Sequence, residues 1–195
     1  PDLAVIPASN LKIITAAVAI DVLGPGFTYT TTVVGPAPVN GVIDGDVFLV
    51  GGGDPVLSEQ WYTQQSTSRK RPPTHATSVE ALADAVVAAG VTQITGRVLG
   101  DGSRYDDERY PPGWADDIRV SFDGGAIGAL VINDSRSPSD AQSSNPSSSA
   151  AAAFLGLLDQ RGIAVAGGSG DGVAPVGASV LAGVQSAPLS EIVNE

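Results

Sequence analysis

The sequence predicts a mixed α and β fold. Alanine-rich runs with helical spacing alternate with short runs rich in valine and threonine, and most of the helical runs are closed by a glycine. The chain has 195 residues, of which 43% are hydrophobic, so it can bury a core as one large domain or as two small ones. We find no repeat of fixed period.

The first predicted element is a helix over residues 10–23. Ser9 precedes an alanine-rich run that stops at Gly24-Pro25-Gly26, so Ser9 is the expected N-cap and the glycines the expected end. The run is far shorter than the roughly 20 residues that span a bilayer and contains Asp21, which predicts a soluble helix and no transmembrane segment. Because the chain begins at Pro1 without methionine or leader, we expect that a preceding segment, such as a secretory signal, was removed.

The next predicted element is a β-hairpin. Residues 27–34 and 42–50 are rich in β-branched residues, and Asn40-Gly41 between them can form a tight turn. The glycines at 51–53 then break the pattern, and residues 59–77 are polar enough to predict an exposed loop.

The second half of the chain is predicted to alternate helix and strand. Ser78 can cap a helix over 79–89, which is closed by Gly90 and followed by a strand over 91–99. The remaining predictions are a strand covered on both faces at 126–133, a surface or disordered loop at 135–149, a helix at 150–160, a strand at 163–166 and a last helix opened by Pro188.

The composition argues against several classes of partner. A formal charge of −11 leaves no basic stripe to neutralise phosphates, which argues against nucleic acid and against anionic membrane surfaces. The chain has no cysteine, so neither a disulfide framework nor a cysteine-based zinc site is available. Residues 101–108 are acidic but lack the alternation and central glycine of a calcium-binding loop. No cofactor or metal is therefore predicted.

Three other motifs could have a chemical function, but for each a structural role is the better interpretation. His75 is the only histidine and lies in a polar loop, which disfavours a Ser-His-Asp triad. The glycines at 51–53 precede Asp54 instead of the lysine of a phosphate-binding loop, and so predict a tight turn. Tyr110 and Trp114 flank prolines, where aromatic residues more often pack a loop than line a sugar-binding groove.

Ser9 and Lys12 form the strongest candidate pair. Positions i and i+3 of a helix are neighbours, so the two side chains can touch. A serine hydroxyl becomes a good nucleophile when a nearby base removes its proton, and a neutral lysine amine can be that base. The N–H groups at a helix start can stabilise a developing oxyanion. Taken alone, such a pair is common and is more often an N-cap and a solvated lysine.

The residues around this pair match a longer pattern. Residues 7–17 read Pro-Ala-Ser-Asn-Leu-Lys-Ile-Ile-Thr-Ala-Ala and run on to Asp-Val-Leu-Gly-Pro at 21–25. This stretch resembles the serine-lysine motif of the low-molecular-mass class C penicillin-binding proteins, which are D-alanyl-D-alanine carboxypeptidases and endopeptidases. The resemblance continues in the family's order through residues 45–55, 110–114, 130–134 and 186–193.

The resemblance implies an interrupted architecture. The chain would hold the beginning of a penicillin-binding/β-lactamase-like catalytic domain, of helices around an antiparallel sheet, interrupted by a β-rich inserted region with helices. Residues 1–27 would be the N-terminal part of the catalytic domain, residues 28–184 the inserted non-catalytic region, and residues 185–195 the return to the catalytic domain, cut off by the end of the chain.

The resemblance also implies an incomplete site. The family completes its site with Ser-x-Asn and Lys-Thr-Gly motifs, expected after the helix at Pro188. Ser143-Ser144-Asn145 fits the first motif by letter but lies in a serine-rich loop, and Lys70 is followed by Arg71. We therefore expect Ser9 and Lys12 to be the catalytic residues present, and turnover by this chain alone to be inefficient.

Two functions follow as hypotheses. The resemblance implies a secreted, periplasmic or cell-wall-associated serine D,D-peptidase that acts on peptidoglycan stem peptides through an acyl-enzyme on Ser9 and is inhibited by β-lactam antibiotics. The alternative is that residues 28–184 act as a non-catalytic module that binds cell wall or a partner.

Overall fold

The fold was obtained as a computed structural model, which describes residues 8–65, 73–119, 121 and 124–194. The helices are α1 (Leu11–Leu23), α2 (Gln60–Thr63), α3 (Val79–Ala88), α4 (Asp116–Arg119), α5 (Pro146–Gln160) and α6 (Leu189–Ile192). The strands are β1 (Thr30–Gly35), β2 (Val42–Ile43), β3 (Val47–Val50), β4 (Leu57–Ser58), β5 (Thr77–Ser78), β6 (Gln93–Ile94), β7 (Val98–Asp101), β8 (Ala164–Val165), β9 (Ser169–Asp171) and β10 (Ser179–Gln185). Within these ranges no helix combines the length and the apolar character needed to cross a membrane.

A five-stranded mixed sheet in the order β10-β1-β3-β7-β9 is the centre of the fold. β1 is antiparallel to both β10 and β3, whereas β3, β7 and β9 run parallel. β2, β6 and β8 form a smaller parallel sheet, and β4 pairs with β5. The predicted mixed α and β class is confirmed.

The core lies between the large sheet and two helices. α3 packs near β1 and β10, and α5 packs on β7 and β9. Leu49 of β3, Leu82 of α3 and Phe154 of α5 are each 0% exposed in one continuous apolar cluster. Burial of such side chains is worth about 1.5–3 kcal/mol each, so this interface carries much of the stability.

The structure confirms several of the residues that were predicted to begin or end helices. The Ser78 hydroxyl accepts a hydrogen bond from the N–H of Ala81 at 3.1 Å and caps α3. Gly24 and Gly90 have φ of 88° and 80°, as expected for glycines that end helices. α6 follows Pro188, which is its N-cap and not its first helical residue.

The predicted hairpin is wrong in its second strand. Residues 42–50 and 91–99 were each expected to be one strand, but each bends and contributes to two sheets, as β2 with β3 and as β6 with β7. Gly45, Gly96 and Gly167 lie side by side at the bend, where the N–H of Gly96 donates to Gly45 and that of Gly167 donates to Gly96. The run 164–171 is divided in the same way, into β8 and β9. A Cβ on Gly96 would lie 2.4 Å from the Gly45 backbone, so glycine permits these three runs to bend together.

The segment from 126 to 149 departs most from expectation. Residues 126–133 were expected to form a strand but contain none, although Ala129, Leu130 and Ile132 are buried. Residues 135–149 were expected to be too polar to pack, yet α5 begins at Pro146, capped by the Asn145 side chain, which accepts from the Ser148 N–H at 3.1 Å. Asn145 satisfies a backbone N–H at the helix start, so the helix begins at Pro146 and not at the expected residue 150.

The polar segment 59–77 also differs from the predicted exposed loop. It contains α2, whose Tyr62 is 5% exposed. Residues 66–72, including Lys70 and Arg71, lie outside the described residues.

The glycines at 51–53 form a packed crossing of the backbone. A Cβ on Gly51 would lie 2.3 Å from the carbonyl oxygen of Ala129, and one on Gly52 would lie 2.1 Å from that of Thr30. Gly53 has φ of 85° and lies against Tyr105. These glycines therefore have a structural role, but the tight turn expected at 51–53 lies at residues 55–56 instead.

Buried Asp54 predicts a pH-dependent stability. Asp54 is 4% exposed, and burial raises the pKa of its carboxyl. The Thr77 side chain and the N–H of Val56, which donates to the carboxyl at 2.9 Å, oppose that rise. A carboxyl with a raised pKa binds its proton more tightly in the folded chain, so its contribution is lost as the pH rises from about 4 through the folded pKa. Asparagine does not titrate, so the free energy of unfolding of Asp54→Asn, measured in urea, should rise relative to that of the wild type when the pH is raised from 4 to 7. Equal differences at both pH values, or the same trend in exposed Asp159→Asn, would contradict it.

Candidate active site

Ser9 and Lys12 lie at the start of α1. Ser9 is in a 3-10 turn (Ala8–Asn10), Lys12 is the second residue of α1, and both are exposed. The expected N-cap was wrong, because Asn10 occupies that position and its side chain makes no capping bond. Among the described residues, neither Ser9 nor Lys12 has a side-chain hydrogen bond, so the two are adjacent in the helix but not bonded to one another.

The residue before Ser9 has an unusual backbone. Ala8 has φ of 46°, in the left-handed region that residues with a Cβ rarely adopt. Such a conformation costs about 1–3 kcal/mol and is found preferentially at functional sites. Ala8 directly precedes Ser9, so a strained backbone lies next to the candidate nucleophile.

α1 presents apolar residues all round and buries none of them. Ile13, Ile14 and Val22 are 70%, 61% and 71% exposed. A helix that is hydrophobic on every face belongs in the interior of a structure. The sheets and helices of the described residues thus leave α1 largely uncovered.

The chain enters and leaves the large sheet side by side. β1 and β10 are antiparallel neighbours, with Thr30 opposite Gln185. The pairing extends toward α1, because the N–H of Leu189 donates to the Phe27 carbonyl at 2.8 Å and that of Ser190 donates to the Pro25 carbonyl at 3.0 Å. Two adjacent strands therefore connect the sheet region to α1 and α6.

The weaker sequence candidates take structural roles. Asn145 caps α5 and its amide donates to Asp171 at 3.1 Å, while Ser143 donates to the Asn145 carbonyl. His75 is exposed and lies 3.5 Å from the Glu191 carboxylate. The part of the chain that the structure describes has no group of three or more acidic or histidine side chains placed to hold a metal.

One cluster was missed in the sequence. Asn133, Asp134 and Ser135 all have φ between 54° and 58°, which makes three consecutive left-handed residues without a glycine. A run of buried apolar residues before them hid this turn, and single-sequence patterns give no signal for it. Asn133 and Ser135 line a groove that is described below.

The fold corresponds to that of a penicillin-binding protein. Penicillin binding protein 4 (dacB) from Haemophilus influenzae superposes with a TM-score of 0.72 over 95% of this chain and 52% of that one, at 18% identity. A second structure of that protein, complexed with a β-lactam, matches with a TM-score of 0.54 over 94% of this chain and 50% of that one, at 18% identity.

Sequence similarity gives the particular family. The profile of the D-Ala-D-Ala carboxypeptidase 3 (S13) family matches residues 1–142, and the chain belongs to this family. It is a low-molecular-mass class C penicillin-binding-protein relative, as the sequence predicted.

Two curated relatives support the assignment. A D-alanyl-D-alanine carboxypeptidase of Actinomadura sp. is 31% identical over 65% of this chain and 21% of the relative. A carboxypeptidase of Mycobacterium tuberculosis is 32% identical over 100% of this chain and 40% of the relative. The chain therefore spans between a fifth and two fifths of the length of these relatives.

Proposed function

We propose that this chain supplies the nucleophile and the base of a serine D,D-peptidase that acts on peptidoglycan stem peptides. Ser9 is the nucleophile and Lys12 its base. Membership of the D-Ala-D-Ala carboxypeptidase family carries the proposal. By resemblance to that family, its serine-lysine motif corresponds to these two residues. Their separation by one turn of an uncovered helix, next to strained Ala8, supports it.

The reaction proceeds in two steps. The Ser9 hydroxyl attacks the carbonyl carbon of the penultimate D-alanine while its proton passes to the Lys12 amine. The bond to the terminal D-alanine breaks, its amine takes a proton, and an ester remains on Ser9. Water then attacks that ester, releases the shortened peptide as a carboxylate and restores the serine hydroxyl. A β-lactam enters the first step through its ring carbonyl, and its ester hydrolyses far more slowly.

The other functional groups belong to the remainder of the catalytic domain. By resemblance to the family these are a Ser-x-Asn and a Lys-Thr-Gly motif, which would complete the oxyanion site and hold the substrate carboxylate. Apolar α1 would be buried by the same part of the protein.

The domain boundaries form part of the proposal. Residues 1–27 and 185–195 belong to the catalytic domain, and residues 28–184 are an insertion. The paired entry and exit strands support it, because an inserted domain needs its two connections close together. A peptidase of the cell wall would be secreted or periplasmic.

The proposal is tested by locating the adduct of a labelled penicillin. The complete protein should gain one penicilloyl group, and tandem mass spectrometry should place it on Ser9. Ser9→Ala should abolish labelling, whereas Ser103→Ala, at an exposed serine of the inserted region, should leave it unchanged. An adduct on another residue, or none on the folded protein, would refute the proposal.

A further inference from the structure

A groove of about 660 Å³ lies between α5 and the segment 132–143. One wall is a stripe of small residues on α5, namely Ser149, Ala152, Ala153 and Gly156, which leaves the helix surface flat. Glu59 and Trp61 also line the groove. The volume is within the range of about 300–1,000 Å³ that is usual for ligand sites.

The opposite wall is held in place by side-chain contacts. The Asn133 amide donates to the Glu59 carboxylate at 2.7 Å, and the Glu59 N–H donates to the Asn133 side chain at 2.8 Å. The Tyr62 hydroxyl donates to Asp134; burial and then this hydrogen bond raise the pKa of Tyr62, which keeps it a neutral donor. The three left-handed residues are therefore fixed, and the groove is preformed.

The polar groups along the groove are mostly neutral. Its lining includes Ser135, Ser137, Ser143, Ser149, Gln142 and Gln160. The Gln142 amide already donates to the carbonyls of Ser121 and Gly124, and the Ser143 hydroxyl to that of Asn145. Ser135 is 4% exposed, and its buried hydroxyl has no hydrogen-bond partner in the described part of the chain. Because that hydroxyl is enclosed by the protein, the groove presents its other hydroxyl and amide side chains to a ligand.

The charges of the groove disfavour an ionic ligand. Its cation is Arg136, whose side chain is 7% exposed and lies 3.0 Å from the Asp140 carboxylate. Its anion is Glu59, which already accepts from Asn133 and from the Trp61 indole at 2.9 Å. A carboxylate or phosphate ligand would meet a cation that is already paired, in a chain of net charge −11.

We propose that this groove binds a neutral glycan of N-acetylated sugars. Hydroxyl and amide side chains match sugar hydroxyls and acetamides, and the indole of Trp61 with the small residues of α5 offers apolar surface to flat sugar rings. The proposal rests on the proposed function only in taking the glycan strand of peptidoglycan as its natural ligand. It would place the inserted region on the polymer whose peptides the catalytic domain cleaves.

The test uses tetra-N-acetylchitotetraose as the probe. Calorimetric titration of the 195-residue chain should give a Kd of about 0.1–1 mM. Gly156→Leu should weaken binding by at least about tenfold. No atom lies within 4 Å of a Cβ at Gly156, and leucine favours a helix more than glycine does, so this substitution fills the groove while α5 remains folded. Asp159→Leu, exposed on the same helix but outside the groove, should bind within about twofold of wild type.

Each outcome decides the proposal. Binding by wild type that is lost in Gly156→Leu alone supports it. Absence of binding up to about 10 mM probe, or equal binding by Gly156→Leu, overturns it, as does displacement of the probe by the tripeptide Lys-D-Ala-D-Ala. Because the probe carries no peptide, Ser9→Ala should bind it normally, and failure of penicillin labelling at Ser9 would leave this result unaffected.

Discussion

Lys12→Ala is expected to slow acylation of Ser9 by penicillin by a factor of about 10²–10⁴ in the complete protein. The serine hydroxyl would remain, but the proton that it must lose would have no amine to receive it. Stopped-flow measurement of adduct formation gives this rate directly. Slow labelling should still occur on Ser9, because only the base has been removed.

Two further variants test whether Lys12 acts by accepting a proton or only through its charge. Lys12→Arg keeps a positive charge but has no readily lost proton, so it should be nearly as slow as Lys12→Ala. Asp21→Asn, exposed near the end of the same helix, should acylate at the wild-type rate. Fast acylation of Lys12→Arg would mean that the side chain acts only through its charge, and would contradict its assignment as the base.

Phe154→Ala is expected to lower the free energy of unfolding by about 3–5 kcal/mol. Phe154 is 0% exposed and lies in the apolar cluster between α5 and the large sheet, so the substitution would leave a cavity that rigid strands cannot close. The free energy can be measured by urea unfolding of the 195-residue chain, followed by circular dichroism.

A matched control tests whether burial is the cause. Val176 is fully exposed, and Val176→Ala should change stability by less than about 0.5 kcal/mol. A loss below about 1 kcal/mol for Phe154→Ala would show that the core is not packed at this position.

Local signals in the sequence predicted several helix ends well. Glycines after α1 and α3, Ser78 before α3 and Pro188 before α6 each mark a boundary that the structure confirms within about a residue. Caps and stops act through neighbouring backbone groups, so a single sequence contains the information that they need.

Strand pairing was predicted less well because it depends on distant residues. Gly45, Gly96 and Gly167 act together, and nothing within any one run shows that the other two glycines lie beside it. β10 was not predicted, although it pairs with β1 across more than 140 residues of sequence. The buried coil before Asn133 was mistaken for a strand because a short apolar run has no periodicity that separates the two.

Ser9 and Lys12 were predicted from the motif, and their chemistry remains a proposal. The structure places them one turn apart, exposed, at the start of a helix that the described residues do not cover. The groove beside α5 could not be foreseen, because its walls come from three separate segments and its shape from consecutive left-handed residues.

The most direct test is a crystal structure of the complete protein. The proposal requires the Ser9 Oγ to lie within about 2.6–3.2 Å of the Lys12 Nζ, in a cleft closed by the remainder of the catalytic domain. A structure in which the Lys12 amine points into bulk solvent, away from Ser9 and from any cleft, would contradict the assignment of these residues as nucleophile and base.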